Sequence, residues 1–173
     1  MERSGKPIAR HICLFIISFF GTGLISKKMP GTVGSIFASV ISLLIFHFSP
    51  NYLNVFLILS VLTFIIGSAL CDIFIIRKKY ESNRDPGYAV IDEACGIFLG
   101  LYILGLFSSL SYISILINFL LFRIFDIWKP FPIRTIEKAM KRSDNTVGIG
   151  IMFDDVLAAV FATALQIVVS KLF

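Results

Sequence analysis

Apolar residues in this chain fall in long unbroken runs, separated by short polar stretches. Five runs stand out: Thr32 to Ser49, Tyr52 to Ile76, Tyr88 to Phe107, Leu110 to Trp128 and Gly148 to Ser170. Each is near the roughly 20 residues that a helix needs to cross about 30 Å of hydrocarbon. A shorter run, His11 to Phe20, ends at Gly21-Thr22-Gly23 and predicts a helix only partly inserted. Beyond Pro132, Ile133, Ile136 and Met140 line up opposite Arg134, Lys138 and Lys141, which predicts a short interfacial helix with its basic face toward headgroups. The expected fold is all-α: a polytopic membrane helix bundle of about five spans plus these two shorter helices. Its 173 residues suffice for one such bundle, a single domain over residues 1–173.

Composition agrees with that picture. At 57% hydrophobic and 16% charged, with 18 Phe, the chain lies outside the range of ordinary soluble domains. Its net charge of +5 does not point to nucleic acid, because the basic residues sit in short loops between apolar runs. That placement suits an anionic membrane surface. Cys13, Cys71 and Cys95 are odd in number, lack metal-ligand spacing and are expected as buried free thiols.

The linkers alternate in charge. Ser49-Pro50-Asn51 and Ser108-Ser109 carry none, whereas 77–87 holds Arg77, Lys78, Lys79 and Arg84. Likewise 129–147 holds Lys129, Arg134, Lys138, Lys141 and Arg142. With Arg3, Lys6, Arg10, Lys27 and Lys28, 14 of the 16 basic residues fall on one side, leaving Arg123 within a span and Lys171 opposite. The positive-inside rule assigns the basic side to the cytoplasm.

Carboxylates inside the apolar runs carry the chemistry. Asp92-Glu93, Asp126 and Asp154-Asp155 form three clusters, each within about two helical turns of a span end on the basic side. Counted from Gly87 and Gly148, Asp92 and Asp154 lie about 7 and 9 Å into their helices, and Asp126 lies about 5 Å before Lys129. An ionised group at membrane depth costs roughly 2.5–3.5 kcal/mol even on lenient scales. Pairing with Arg123, Lys129 and neighbouring bases would leave acids in excess. One shared site for a divalent cation, with all five oxygens aimed at one point, explains the set.

Two further stretches lie on the same side. Pro30-Gly31-Thr32-Val33-Gly34-Ser35 follows Lys27 and Lys28, with Thr32 placed to cap the next helix. Backbone N–H groups there, beside lysines and hydroxyls, suit a phosphate, although such a turn also simply starts helices. In 123–132, Arg123, Asp126 and Lys129 recur every three residues on one helix face, Trp128 sits where interfacial indoles settle, and Pro130 ends the span. Arg123 and Lys129 are the better candidates for substrate phosphate contacts.

Four blocks together resemble the phosphatidylglycerophosphatase A family. They are Pro30-Gly31-Thr32-Val33-Gly34-Ser35; Asp85-Pro86-Gly87 with Val90-Ile91-Asp92-Glu93; Phe122-Arg123-Ile124-Phe125-Asp126-Ile127-Trp128-Lys129-Pro130; and Gly148-Ile149-Gly150-Ile151-Met152-Phe153-Asp154-Asp155. They occur in order between about Gly21 and Ala162. The resemblance implies a Mg²⁺-dependent lipid phosphatase that converts phosphatidylglycerophosphate to phosphatidylglycerol and phosphate. It also implies a helical bundle with one helix surrounded by the others. On that basis Asp92, Glu93, Asp126, Asp154 and Asp155 are expected as catalytic and metal-holding residues. Arg123, Lys129, Thr32 and Ser35 are expected as substrate-binding residues. The expected location is a bacterial cytoplasmic (inner) membrane, with the site facing the cytoplasm and a membrane lipid as substrate.

Other phosphatase chemistries fit poorly. Cys71 and Arg77 have cysteine-phosphatase spacing, but the residues between them are apolar and helical in pattern. His47 falls at the far end of its span and His11 outside the motifs. Aspartyl-phosphate and CDP-alcohol phosphotransferase signatures are absent from the sequence. Metal-assisted hydrolysis remains, in which carboxylates hold Mg²⁺ and one acid orients or deprotonates water. The alternative class is a small cation-binding channel or transporter, since rings of acids also select cations. Span middles of Phe, Leu and Ile and uncharged opposite loops argue against a permeation path.

Overall fold

The structure is a computed structural model that describes residues 5–77, 87–140 and 147–172, with side chains described for 10–73, 87–136 and 148–172. Asp85-Pro86 and the loop bases Lys78, Lys79, Arg84, Lys141 and Arg142 lie outside the described residues. The described residues form seven α-helices and no strands: α1 (Gly5–Ile17), α2 (Pro30–Phe48), α3 (Tyr52–Arg77), α4 (Ile91–Phe107), α5 (Tyr112–Trp128), α6 (Ile133–Met140) and α7 (Val147–Leu172). A single 3-10 turn at Thr22–Leu24 joins α1 to α2.

Pro30–Phe48, Tyr52–Ile73 and Gly148–Leu172 are long and apolar enough to cross a membrane. α4 and α5 have 17 residues each, about 25 Å of helix. The outward faces expose Val40, Leu44, Ile58, Leu62, Leu116, Leu120 and Val168, the surface of a membrane protein. α4 is apolar on every side and is therefore the buried helix. It packs against α2, α3, α5 and α7, burying Ala94, Ile97, Phe98, Leu101 and Leu104 among them. The sequence resemblance implied one helix surrounded by others, and α4 occupies that place.

Several boundaries differ from expectation. α1 ends at Ile17, and Phe19, Phe20 and Gly21 then adopt left-handed φ values of 46°, 60° and 84° that turn the chain back. α4 starts at Ile91 rather than Tyr88, and the Val90 N–H just ahead of it donates to the Ile17 carbonyl at 2.9 Å. Asp92 and Glu93 thus occupy the first turn of α4 and do not lie about 7 Å along it. α2 starts at Pro30, whose fixed φ suits a first helical position, so Met29 and not Thr32 is its N-cap residue. α6 packs against α7 and buries Ile133 completely, so that end of its apolar stripe faces the bundle instead of lipid.

The span middles are also less uniformly apolar than expected. Asn118 of α5 donates from Nδ2 to Thr163 Oγ1 at 3.0 Å and to Gln166 Oε1 at 2.9 Å, both on α7. Gln166 Nε2 donates to the Ser114 carbonyl at 2.8 Å, and the Thr163 hydroxyl to the Gly100 carbonyl of α4 at 3.3 Å. The residues bond to one another and to helix carbonyls, fastening α4, α5 and α7 together.

Candidate active site

Antiparallel packing collects particular helix ends at one pole of the bundle. The starts of α2, α4 and α7 meet the end of α5 there, which brings together residues up to 91 positions apart in sequence. Acids in the first turn of α4 are favoured by the positive end of its dipole. Asp154 and Asp155 lie about two turns into α7 and are almost fully buried, at 4% and 3% exposure.

The five acids converge, but not as equivalents. One oxygen each of Asp92, Glu93 and Asp155 lies within 4.8 Å of the others. Asp92, Asp155, Asp126 and Arg123 lie around Glu93, and Glu93, Asp126, Asp92 and Asp154 lie around Asp155. Asp126 Oδ2 instead takes a 2.6 Å ion pair from Arg123 Nη1, and Asp154 Oδ2 a 2.5 Å ion pair from Lys129 Nζ. The five acids expected at one point thus gather as a close group of three with Asp126 and Asp154 beside it, Asp126 next to Asp155. The two outer acids are the ones that carry bases, Arg123 on Asp126 and Lys129 on Asp154.

Arg123 is the hub of the basic side. Its Nη1 also donates to Ser35 Oγ at 3.1 Å, and Nη2 to Thr32 Oγ1 at 3.2 Å. Thr32 and Ser35 thus meet the guanidinium, and Ser35 Oγ in turn donates to the Gly31 carbonyl at 2.8 Å. Gly31 has no room for a side chain, since a Cβ there would strike the Glu93 carboxylate. The first turn of α2 therefore lies directly against the acid cluster. Lys129 closes α5 in a left-handed conformation with φ of 44°, which turns its side chain back to α7.

The donor set fits a hard divalent cation. Glu93 Oε2 and Asp155 Oδ2 are buried and make no hydrogen bond among the described residues. Buried carboxylate oxygens are costly unless paired or bound to metal. Oxygen-only ligands at this spacing suit Mg²⁺ better than a soft metal. Asp72 on α3 is one acid that sequence reasoning passed over. Its Oδ1 accepts the Gly148 N–H at 2.6 Å. The signal was available, since Asp72 is a sixth acid in an apolar run, five residues before Arg77.

Sequence comparison assigns the chain to a family. The sequence model of phosphatidylglycerophosphatase A matches residues 15–170, a stretch that includes every site residue above. The chain belongs to this family. It is 39% identical over 146 residues to phosphatidylglycerophosphatase A of Haemophilus influenzae, covering 83% of this chain and 79% of that protein. The Escherichia coli phosphatidylglycerophosphatase A is 32% identical over 146 residues, covering 84% of this chain and 76% of that protein. A Bacteroides thetaiotaomicron relative described as a putative phosphatidylinositol-3-phosphatase is 32% identical over 150 residues, covering 83% and 84%. No solved structure matches the chain. Family membership, expected from the four blocks, is borne out.

Proposed function

We propose that the acid cluster is the catalytic centre of a Mg²⁺-assisted lipid phosphatase. As a member of its family the chain is an enzyme that hydrolyses phosphatidylglycerophosphate to phosphatidylglycerol and phosphate. Water adds to phosphorus, the bond from phosphorus to the terminal glycerol oxygen breaks, and that oxygen leaves with a proton. The observation that carries the proposal is the inner acid group, three carboxylates within ligand distance of one another, in which Glu93 Oε2 and Asp155 Oδ2 are buried and make no hydrogen bond among the described residues.

Asp92, Glu93 and Asp155 would hold the cation. When bound, Mg²⁺ supplies positive charge and Lewis acidity toward the phosphoryl oxygens. Asp126 and Asp154 flank the inner group, and one carboxylate of the cluster takes the proton of the attacking water. Arg123 offers the substrate a planar fork, and its buried Nε makes no hydrogen bond among the described residues. Thr32 and Ser35 act on substrate through Arg123, by holding its fork toward the acids. Lys129 brings a compact charge close to the interface and balances Asp154.

In this proposal α2, α3, α4, α5 and α7 are the five spans, α1 is partly inserted and the acid pole faces the cytoplasm of a bacterial inner membrane. The loop charges support that orientation, with 14 of 16 basic residues on the acid side. Single cysteines at Ser82, Ser143 and Ser109 in a cysteine-free background test it in sealed vesicles. Ser82 and Ser143, which lie outside the described residues, should label only from the cytoplasmic face, and Ser109 only from the other. Labelling of Ser143 from the opposite face would overturn the orientation.

The direct test is phosphate release from short-chain phosphatidylglycerophosphate, with and without EDTA. Activity should vanish on chelation and return with Mg²⁺; full turnover in thoroughly chelated enzyme would sink the metal assignment. The name of the Bacteroides relative makes phosphatidylinositol 3-phosphate a suitable second substrate for the same assay. Phosphatidylglycerophosphate should be preferred. The channel alternative predicts cation flux and no phosphate release.

A further inference from the structure

We infer that Asp72 is a positioning residue for this phosphatase: it holds the start of α7 against α3 so that Asp154 and Asp155 reach the acid cluster. The inference rests on the cluster being a cation-binding catalytic centre. Asp72 lies five residues before the end of α3, and its Oδ1 accepts the Gly148 N–H at 2.6 Å across 76 residues of sequence. Gly148 is the second residue of α7, so its N–H is one of the initial four without an intrahelical acceptor. A carboxylate at that point satisfies the donor and complements the helix dipole. The cap comes from another helix, so it fixes where α7 begins relative to α3.

Close packing makes the contact restrictive. A Cβ at Gly148 would run into the Ser68 carbonyl and the Asp72 carboxyl, so the two helices meet backbone to backbone at this point. From Gly148 to Asp155 is seven residues, about 10 Å along one continuous helix. A shift at the start of α7 therefore passes to Asp155, whose oxygen lies within 4.8 Å of those of Asp92 and Glu93. Ligand oxygens tolerate displacements of only a few tenths of an ångström before a hard cation loses affinity.

The experiment uses full-length protein in detergent and reads Mn²⁺ binding by the free-Mn²⁺ electron paramagnetic resonance signal, alongside kcat and KM for phosphate release. Asp72→Asn keeps an acceptor oxygen in place and should stay within about threefold of wild type in Mn²⁺ half-saturation and kcat. Asp72→Ala removes the acceptor, and Asp72→Glu moves it by one methylene. Both should raise Mn²⁺ half-saturation and lower kcat by about tenfold or more, with KM for lipid nearly unchanged. If wild type itself binds no Mn²⁺, the cation site fails and this inference with it. If wild type binds and Asp72→Glu or Asp72→Ala binds equally well, the positioning role alone is overturned. A deficient Asp72→Asn would overturn it too, because charge rather than an acceptor would then be what matters. Should Asp72→Ala not purify as a monodisperse protein, the Asn and Glu variants decide between these outcomes.

Discussion

Asn118 and Asp126 lie on the same helix, about 12 Å apart along α5, and Thr163 and Asp155 are separated equally along α7. Both pairs belong to buried polar clusters in an otherwise apolar bundle, yet the clusters are built differently. At Asn118, Thr163 and Gln166 the groups are neutral and donors meet acceptors, ending on helix carbonyls. At the acid pole, among the described residues, Asp126 and Asp154 pair with Arg123 and Lys129, while buried oxygens of Glu93 and Asp155 make no hydrogen bond. Polarity that only fastens helices closes on itself. Polarity kept for a ligand, as proposed for the acid pole, would be left open at a cost to the fold.

The largest expected effect breaks the open cluster. Asp92→Asn, Glu93→Gln and Asp155→Asn should each lower turnover by about a thousandfold, more than the 10–100-fold usual for outer-shell partners of a metal. Asp126→Asn and Asp154→Asn, the outer pair, should cost about 10–100-fold. All five should insert in the membrane normally, as judged by carbonate extraction. Near wild-type turnover in three or more of them would falsify the shared site.

Arg123 sharpens the comparison next. Arg123→Lys keeps the charge but loses the fork held by Thr32, Ser35 and Asp126, and should reduce kcat by about 10–100-fold. A Thr32→Ala, Ser35→Ala double variant should lose less, about tenfold, with a matching loss when phosphate is tested as a product inhibitor. If Arg123→Lys behaves like wild type, Arg123 serves only as the ion-pair partner of Asp126.

The closed cluster should respond the other way. Asn118→Ala should reduce stability by about 0.6–1.7 kcal/mol, the range for side-chain hydrogen bonds between membrane helices, and lower the thermal midpoint. Turnover per folded enzyme should hold. A large loss of turnover without a change in midpoint would mean that the two clusters are coupled along α5 and α7. Smallest of all should be Lys138→Ala on α6, outside the four sequence blocks, within about twofold in activity.

Much of this molecule was legible in one dimension. Long apolar runs can bury their backbone polar groups in lipid only as helices, so the all-α class followed from run length alone. Loop charges predicted which helix ends share a side, and four short blocks carried the family. The five acids were also legible, because charge inside an apolar run demands a reason. Asp72 could have been counted among them and was not, since nothing local distinguishes a capping acid from a catalytic one.

Partnership is what only the tertiary structure decided. Which acids form the inner group depends on the rotation of α4 and α7 about their axes, and packing sets that rotation. The same packing turned Thr32 from a helix cap into a support for Arg123, and drew Asp126 to Arg123 and Asp154 to Lys129. It also placed Asn118 opposite Gln166, in a register that no run of Phe, Leu and Ile discloses. Hydropathy is a property of each residue and is additive along the chain, so the sequence by itself determined the helices and the presence of acids inside apolar runs. Hydrogen bonds and ion pairs are directional and hold over a few ångströms between distant segments, so their assignment had to wait for the folded bundle.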